Sequence, residues 1–304
     1  MKSIKYSVDS LAIGRSLLAT GLLLTLVFNS NELLFYYGFD FQTRYLGEVN
    51  WTFFRLFSDE NLILAKLSAL MILILVISGY YPQITGILHW YITYSFLKDC
   101  PIVDGGDQIA SQITLLLIPI TLLDTRRNQW TSPKSNNGYR AIFARSCILI
   151  LKLQICYIYF DAAISKLKVP EWVDGTAVYY WFTRPIFGVS DFLIPVIYPL
   201  LKNPITLVFI TWGTLLLELS LAAAIVMKVK DRKTLLKLGL FFHFMIVIVH
   251  GLPSFFFTMS SCLFLYLLPF EKYFSVRLSK NIFSRYDLIK IVFQKPQKAF
   301  SLKK

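Results

Sequence analysis

IFGVSDFLIPVIYPLL, residues 186–201, decides how many times this chain crosses a membrane. Its apolar residues invite a reading as a span. Asp191 interrupts the run, however, and Pro195 and Pro199 each withhold a backbone donor from any helix built through them. The charges on either side supply an independent test. Basic residues gather in 124–145 (Arg126, Arg127, Lys134, Arg140, Arg145) and in 228–237 (Lys228, Lys230, Arg232, Lys233, Lys237). They gather again after Phe270, from Lys272 to Lys304, and Lys2 and Lys5 precede the first apolar run. Basic loops favour the cytoplasmic side of a bilayer, so an even number of spans must separate these groups. Were 186–201 a span, the basic loop 228–237 would fall on the opposite side. The segment is therefore expected to be a re-entrant or interfacial piece.

Working outward, 56% of the 304 residues are hydrophobic and 16% charged, with a mean hydropathy of +0.57. That balance excludes an ordinary soluble domain. A hydrocarbon core about 30 Å thick needs about 20 apolar residues per helix. Segments 11–28, 61–80, 83–97, 107–123, 141–165, 204–226, 234–250 and 253–269 approach that length. The expectation is an all-α integral membrane protein, a bundle of about 8 transmembrane helices over residues 1–270. Both termini are expected in the cytoplasm, with a basic tail at 271–304. The first run is read as a retained helix, because FNSNELLF follows it with no small-x-small cleavage pattern. The net charge of +13 sits in the loops and tail, where anionic membrane lipid is the expected partner and nucleic acid is not. The four cysteines include no CxxC pair, which argues against a disulfide framework.

Within the spans, Lys152, Glu218 and His243 stand at similar depths when counted along their helices at about 1.5 Å per residue. Charges buried in a bundle pair with one another, so a Lys152 to Glu218 contact with His243 adjacent is expected. It would serve either as a structural clasp or as a proton relay or substrate contact. Arg145, Lys152, Cys156, Tyr159, Ala163 and Lys166 share one face of the fifth span, a polar stripe ending at Lys166. His243 and His250 share another face, but seven residues is about 10.5 Å, too far for one ion. No metal is expected. His89 reads as a satisfied packing residue. In CPIVDGGD (100–107), Asp107 is the expected N-cap of the following helix, leaving Asp104 for function.

RSLLATGLLLTLVFN (15–29), DGGDQIASQI (104–113), PITLLDTRRNQW (119–130) and YFDAAISKLKVPEWVDGTAVYYWF (159–182) together resemble the sporulation-delaying-protein B family of antimicrobial-peptide systems. That family lies within the horizontally transferred transmembrane domain (HTTM) group, which includes the vitamin K-dependent gamma-carboxylases. The resemblance implies a multi-pass protein of the bacterial cell membrane. It would mature a secreted peptide toxin from its precursor on the extracytoplasmic side, together with a companion protein. The carboxylase pattern K-L-x-x-x-x-W-x-x-G falls on Lys166, Leu167, Trp172 and Gly175 and would make Lys166 a base, with a vitamin K-like or other quinone as the cofactor it implies. No large soluble domain follows the last span, unlike in carboxylases. Lys166, Lys152, Glu218 and His243 are the expected catalytic set; Asp104, Trp172, Asp174, Gly175 and His250 are the expected substrate-binding set of an outward-facing cavity. GxSxG, HExxH and a pair of span-buried aspartates are absent, which argues against a protease. A non-catalytic scaffold and a peptide exporter stay open beside the maturation reading.

Overall fold

The computed structural model describes residues 9–36, 51–131, 139–184 and 188–269. The amino-terminal lysines and the basic tail lie outside them. Each of the eight apolar segments is a helix. They are α1 (Ser10–Phe28), α2 (Leu62–Ser78), α3 (Pro82–Asp99), α4 (Gly105–Leu122), α5 (Tyr139–Lys166), α9 (Pro204–Ala223), α10 (Val229–His250) and α11 (Pro253–Leu267). Three short helices lie between α5 and α9: α6 (Pro170–Val173), α7 (Ala177–Phe182) and α8 (Ile194–Lys202).

Among the described residues, four helices are long and apolar enough to cross a membrane: α1, α5, α10, and α9 taken through Val226. α2 and α11 are apolar but shorter, at 17 and 15 residues. At about 1.5 Å per residue, α11 is about 22 Å long, short of the ~30 Å core. Its position explains how it persists. From Thr258 to Leu267 almost every residue is buried, because α11 packs on α1, α4, α5 and α10 at once. A helix apolar all round belongs in an interior. Small residues of α1 make room for it: a β-carbon at Gly14 would collide with Leu265, and one at Gly21 would press on Phe257 and the Ser254 carbonyl. The Ser261 hydroxyl donates to the Gly14 carbonyl at 2.7 Å across this contact. Close approach of backbones through small residues is the usual means of joining helices without a hydrophobic driving force.

The second half of segment 186–201 falls in α8, which runs on to Lys202, nine residues and about 14 Å long. Asn203 caps the start of α9, accepting from the Ile205 and Thr206 amides at 3.0 and 3.3 Å, and Pro204 takes the first helical position. α8 and α7 pack along the first half of α9 through Val178, Leu201 and Leu207. Together α6 to α8 form a cap against that half of α9.

One of the basic loops has a buried arginine. Residues 123–131 fold back between the ends of α1, α2 and α3, and Arg126 is buried. Its guanidinium pairs with Asp124 at 2.6 Å and Asp9 at 2.8 Å and donates to the Gln129 and Thr131 carbonyls. Arg15, 1% exposed in α1, donates to the Gln129 side chain and to the Thr85 hydroxyl. Burial pushes the Asp9 carboxyl up, against the pull of Arg126. Burial alone would lower the Arg126 pKa, and the two carboxylates more than reverse it.

Candidate functional site

α5 ends where the cap begins, and Lys166 is its last residue. Long side chains on a helix lean back toward its amino terminus. The Lys166 ammonium accordingly donates to the Ala162 carbonyl at 3.3 Å and to both oxygens of Glu218 at 2.7 and 2.8 Å. Glu218 lies on α9, which packs against α5. The Trp172 ring covers the ammonium from 5.3 Å, a cation–π contact strengthened by loss of water. The Lys166 side chain keeps 24% exposure and that of Glu218 9%.

The family pattern now has a physical reading. The four-residue α6 follows Lys166 closely, and its Trp172 packs with Leu167, Ala177 and Leu215. Gly175 follows with φ of 86°, a left-handed conformation that favours glycine. A β-carbon there would come within 2.9 Å of Val208 on α9. Gly175 is thus a turn and a point of close approach. Asp174 is exposed, and its carboxylate accepts from the Thr176 amide and hydroxyl at 2.9 and 2.6 Å. That makes it a turn-forming residue at the rim.

The expected Lys152 to Glu218 pair does not form. The Cys156 thiol donates to the Ala222 carbonyl at 3.2 Å and fixes the register of α5 on the antiparallel α9. Lys152 then lies one turn to one side of that contact and Glu218 one turn to the other, about 12 Å apart along the axis. Lys152 reaches the Leu268 carbonyl at 3.4 Å instead. Counting depth from each helix end missed this offset, which depends on how two helices slide past each other.

Below the ion pair, Tyr159 and His243 share a hydrogen bond of 3.1 Å between the phenol and Nε2. Phe242 and Phe255 meet the His243 ring edge-on at 5.0 and 5.7 Å, and its Nδ1 is buried with no hydrogen-bond partner among the described residues. His250 lies against Phe182 of the cap at 5.1 Å. So Lys166, Glu218, Trp172 and Gly175 come together, His243 and His250 sit along the neighbouring helix, and Lys152 belongs to the opposite end of the stripe.

The expected cap is corrected: Asp107 is not the N-cap of α4. Asp104 is the N-cap of α4, accepting from the Asp107 amide at 3.0 Å, and the Asp107 carboxylate returns the bond to the Asp104 amide at 3.0 Å. This reciprocal capping box holds Asp104 in place at α4, where the Ser254 hydroxyl also reaches it at 3.4 Å. His89 departs from expectation too, since its buried Nε2 has no partner among the described residues. Sequence reasoning missed Arg15 altogether. A charge inside the 11–28 run was the signal for it.

An all-helical bundle with several helices of membrane length, closed over a lysine–glutamate pair by a short helical cap, defines a membrane protein of the HTTM class. The HTTM domain model matches residues 115–269, which include Lys166, Glu218 and His243. Sporulation-delaying protein SdpB of Bacillus subtilis (strain 168) is 36% identical over 283 residues, covering 90% of this chain and 86% of its own. From the same organism, a protein named as uncharacterized protein YitO is 34% identical over 265 residues, 85% of each chain. No solved structure matches. The chain belongs to the SdpB family of HTTM-domain proteins.

Proposed function

We propose that this chain matures a secreted, sporulation-delaying-type peptide toxin. It acts on the membrane-associated precursor at the extracytoplasmic face, together with a companion protein, and the pocket of Lys166 and Glu218 is where it engages that substrate. The family membership and the name of the relative support the first part. One observation carries the second: a lysine held by a carboxylate beneath a tryptophan, at the junction of the longest helix and the cap.

The pair offers proton chemistry. As drawn, Lys166 is an ammonium with Glu218 as its counter-ion. Passing that proton to Glu218 leaves a neutral amine beside a neutral acid, and the amine can then take a proton from a bound group. Tyr159 and His243 form a second hydrogen-bonded pair, with Tyr159 on the same face of α5 as Lys166. The quinone-like cofactor implied by the resemblance would meet a fitting group in His243: with Tyr159 donating to Nε2, the Nδ1 proton is available to a ring carbonyl. A bound quinone would supply redox chemistry there.

A scaffold that binds precursor and companion is the second reading, favoured by how fully Ala162, Glu218 and Trp172 occupy the Lys166 ammonium. Mass spectrometry of the precursor peptide from cells with and without this protein separates the two. A mass difference is expected, and it should vanish in Lys166→Met at normal expression. Full toxin output from that variant would assign the pair to structure.

A further inference from the structure

A second polar centre lies away from the ion pair, where α1, α3, α4 and α11 meet. Asp107, Thr93, Ser254 and Thr258 line a small cavity there, closed on its apolar side by Leu18 and Phe96. We propose that this cavity is a binding site for a single monovalent cation, sodium in the first instance. Four features of the site point to it.

The donors are all oxygens, a carboxylate and three hydroxyls, the set that selects hard cations over transition metals. The space is about 10 Å³, room for one water-sized occupant. Charge also matches: Asp107 is the only carboxylate on the lining, and no ion pair among the described residues involves it or the neighbouring Asp104. One positive charge neutralises it, whereas calcium would call for about six to eight oxygens. The fourth feature is Thr258. It is 4% exposed, yet its hydroxyl makes no hydrogen bond to a described residue. Thr93 differs, sharing a 2.8 Å bond with Thr114 and donating to the His89 carbonyl at 3.0 Å. A buried hydroxyl facing a polar cavity without a partner is a ligand-shaped deficit.

The test is thermal unfolding of the purified full chain in detergent, followed by the fluorescence of its 6 tryptophans. Sodium, potassium and N-methylglucamine chlorides are compared at equal ionic strength. Saturating sodium should raise the midpoint by about 5 °C over N-methylglucamine, with potassium giving less. Asp107→Asn should abolish the sodium increment. Thr258→Val, which leaves the capping box untouched, should weaken sodium binding about tenfold, seen as a shift of the titration to higher concentration. Equal midpoints in the three salts would overturn the site, as would a midpoint that follows pH and ignores sodium, since a proton would then neutralise Asp107. A sodium titration unchanged in Thr258→Val would place the ion elsewhere and overturn it as well.

Discussion

Glu218 receives two hydrogen bonds from one ammonium, and the worth of each partner depends on the other. Removing one charge from a buried pair strands its mate, which costs about 3–5 kcal/mol when burial is complete. Here the 24% exposure of Lys166 admits some water and lowers that figure. Lys166→Met and Glu218→Gln should each destabilise the protein by about 2–3 kcal/mol, while the double variant should lie closer to the parent than the two losses sum to. A double-mutant cycle on denaturant unfolding reads the coupling, expected at about 2 kcal/mol. Tyr159→Phe should cost a further 1–2 kcal/mol, roughly, by leaving both ring nitrogens of His243 without partners. At this scale the sequence showed which residues were unusual and concealed who met whom. Glu218 and His243 stand out as ionisable groups in apolar runs, and Lys166 and Trp172 through the family pattern. Their pairing rests on the offset between α5 and α9, set by Cys156 and Ala222, two residues with no distinguishing pattern. Arg15 was hidden differently, by lying in a run apolar enough to pass as uninterrupted.

Among elements, the cap is held by two small apolar clusters. These clusters, around Trp172 and around Val178, rest mainly on α9, with contacts to Lys166 of α5 and His250 of α10. Gly175 joins them. An alanine there would bear left-handed strain of about 1–2 kcal/mol and press on Val208. Gly175→Ala should therefore loosen α6 and α7 first. Hydrogen exchange should speed up over residues 170–182 and stay unchanged in α1 and α11. Loss of the Trp172 contact would then open the Lys166 pair to water without any change to the pair itself. The helices were legible because each is an apolar run, and α1, α3, α4, α9 and α11 also start with a capping side chain or a proline. The cap was legible only as an interruption, since 4- and 6-residue helices are too short to show a period.

For the whole molecule, the folded-back loop 123–131 is a keystone at the end of the bundle that carries Asp9. Asp9 and Asp124 bring two negative charges, Arg126 and Arg15 two positive ones, and the buried group is neutral as a set. Arg15→Met breaks that balance and removes the donors that Gln129 and Thr85 receive. It should lower the thermal midpoint by about 6 °C or more. Adding Asp124→Asn should restore part of the loss. Two of the sequence stretches that carry the family resemblance, 15–29 and 119–130, meet at this point through Arg15 and Gln129. Their sequence separation of 114 residues explains why neither stretch discloses the other.

The burial of α11 also bears on the order of events during synthesis. The Ser261 hydroxyl and the Gly14 carbonyl that it bonds are 247 positions apart, so α1 is made well before its main neighbour. Until Pro253 to Leu267 leaves the ribosome, Gly14 and Gly21 of α1 face lipid or an insertion chaperone. The bundle closes in one late step around a helix too short to hold a transmembrane position by itself. A nascent chain arrested before residue 253 should be inserted yet protease-sensitive throughout, and should gain resistance all at once when α11 arrives.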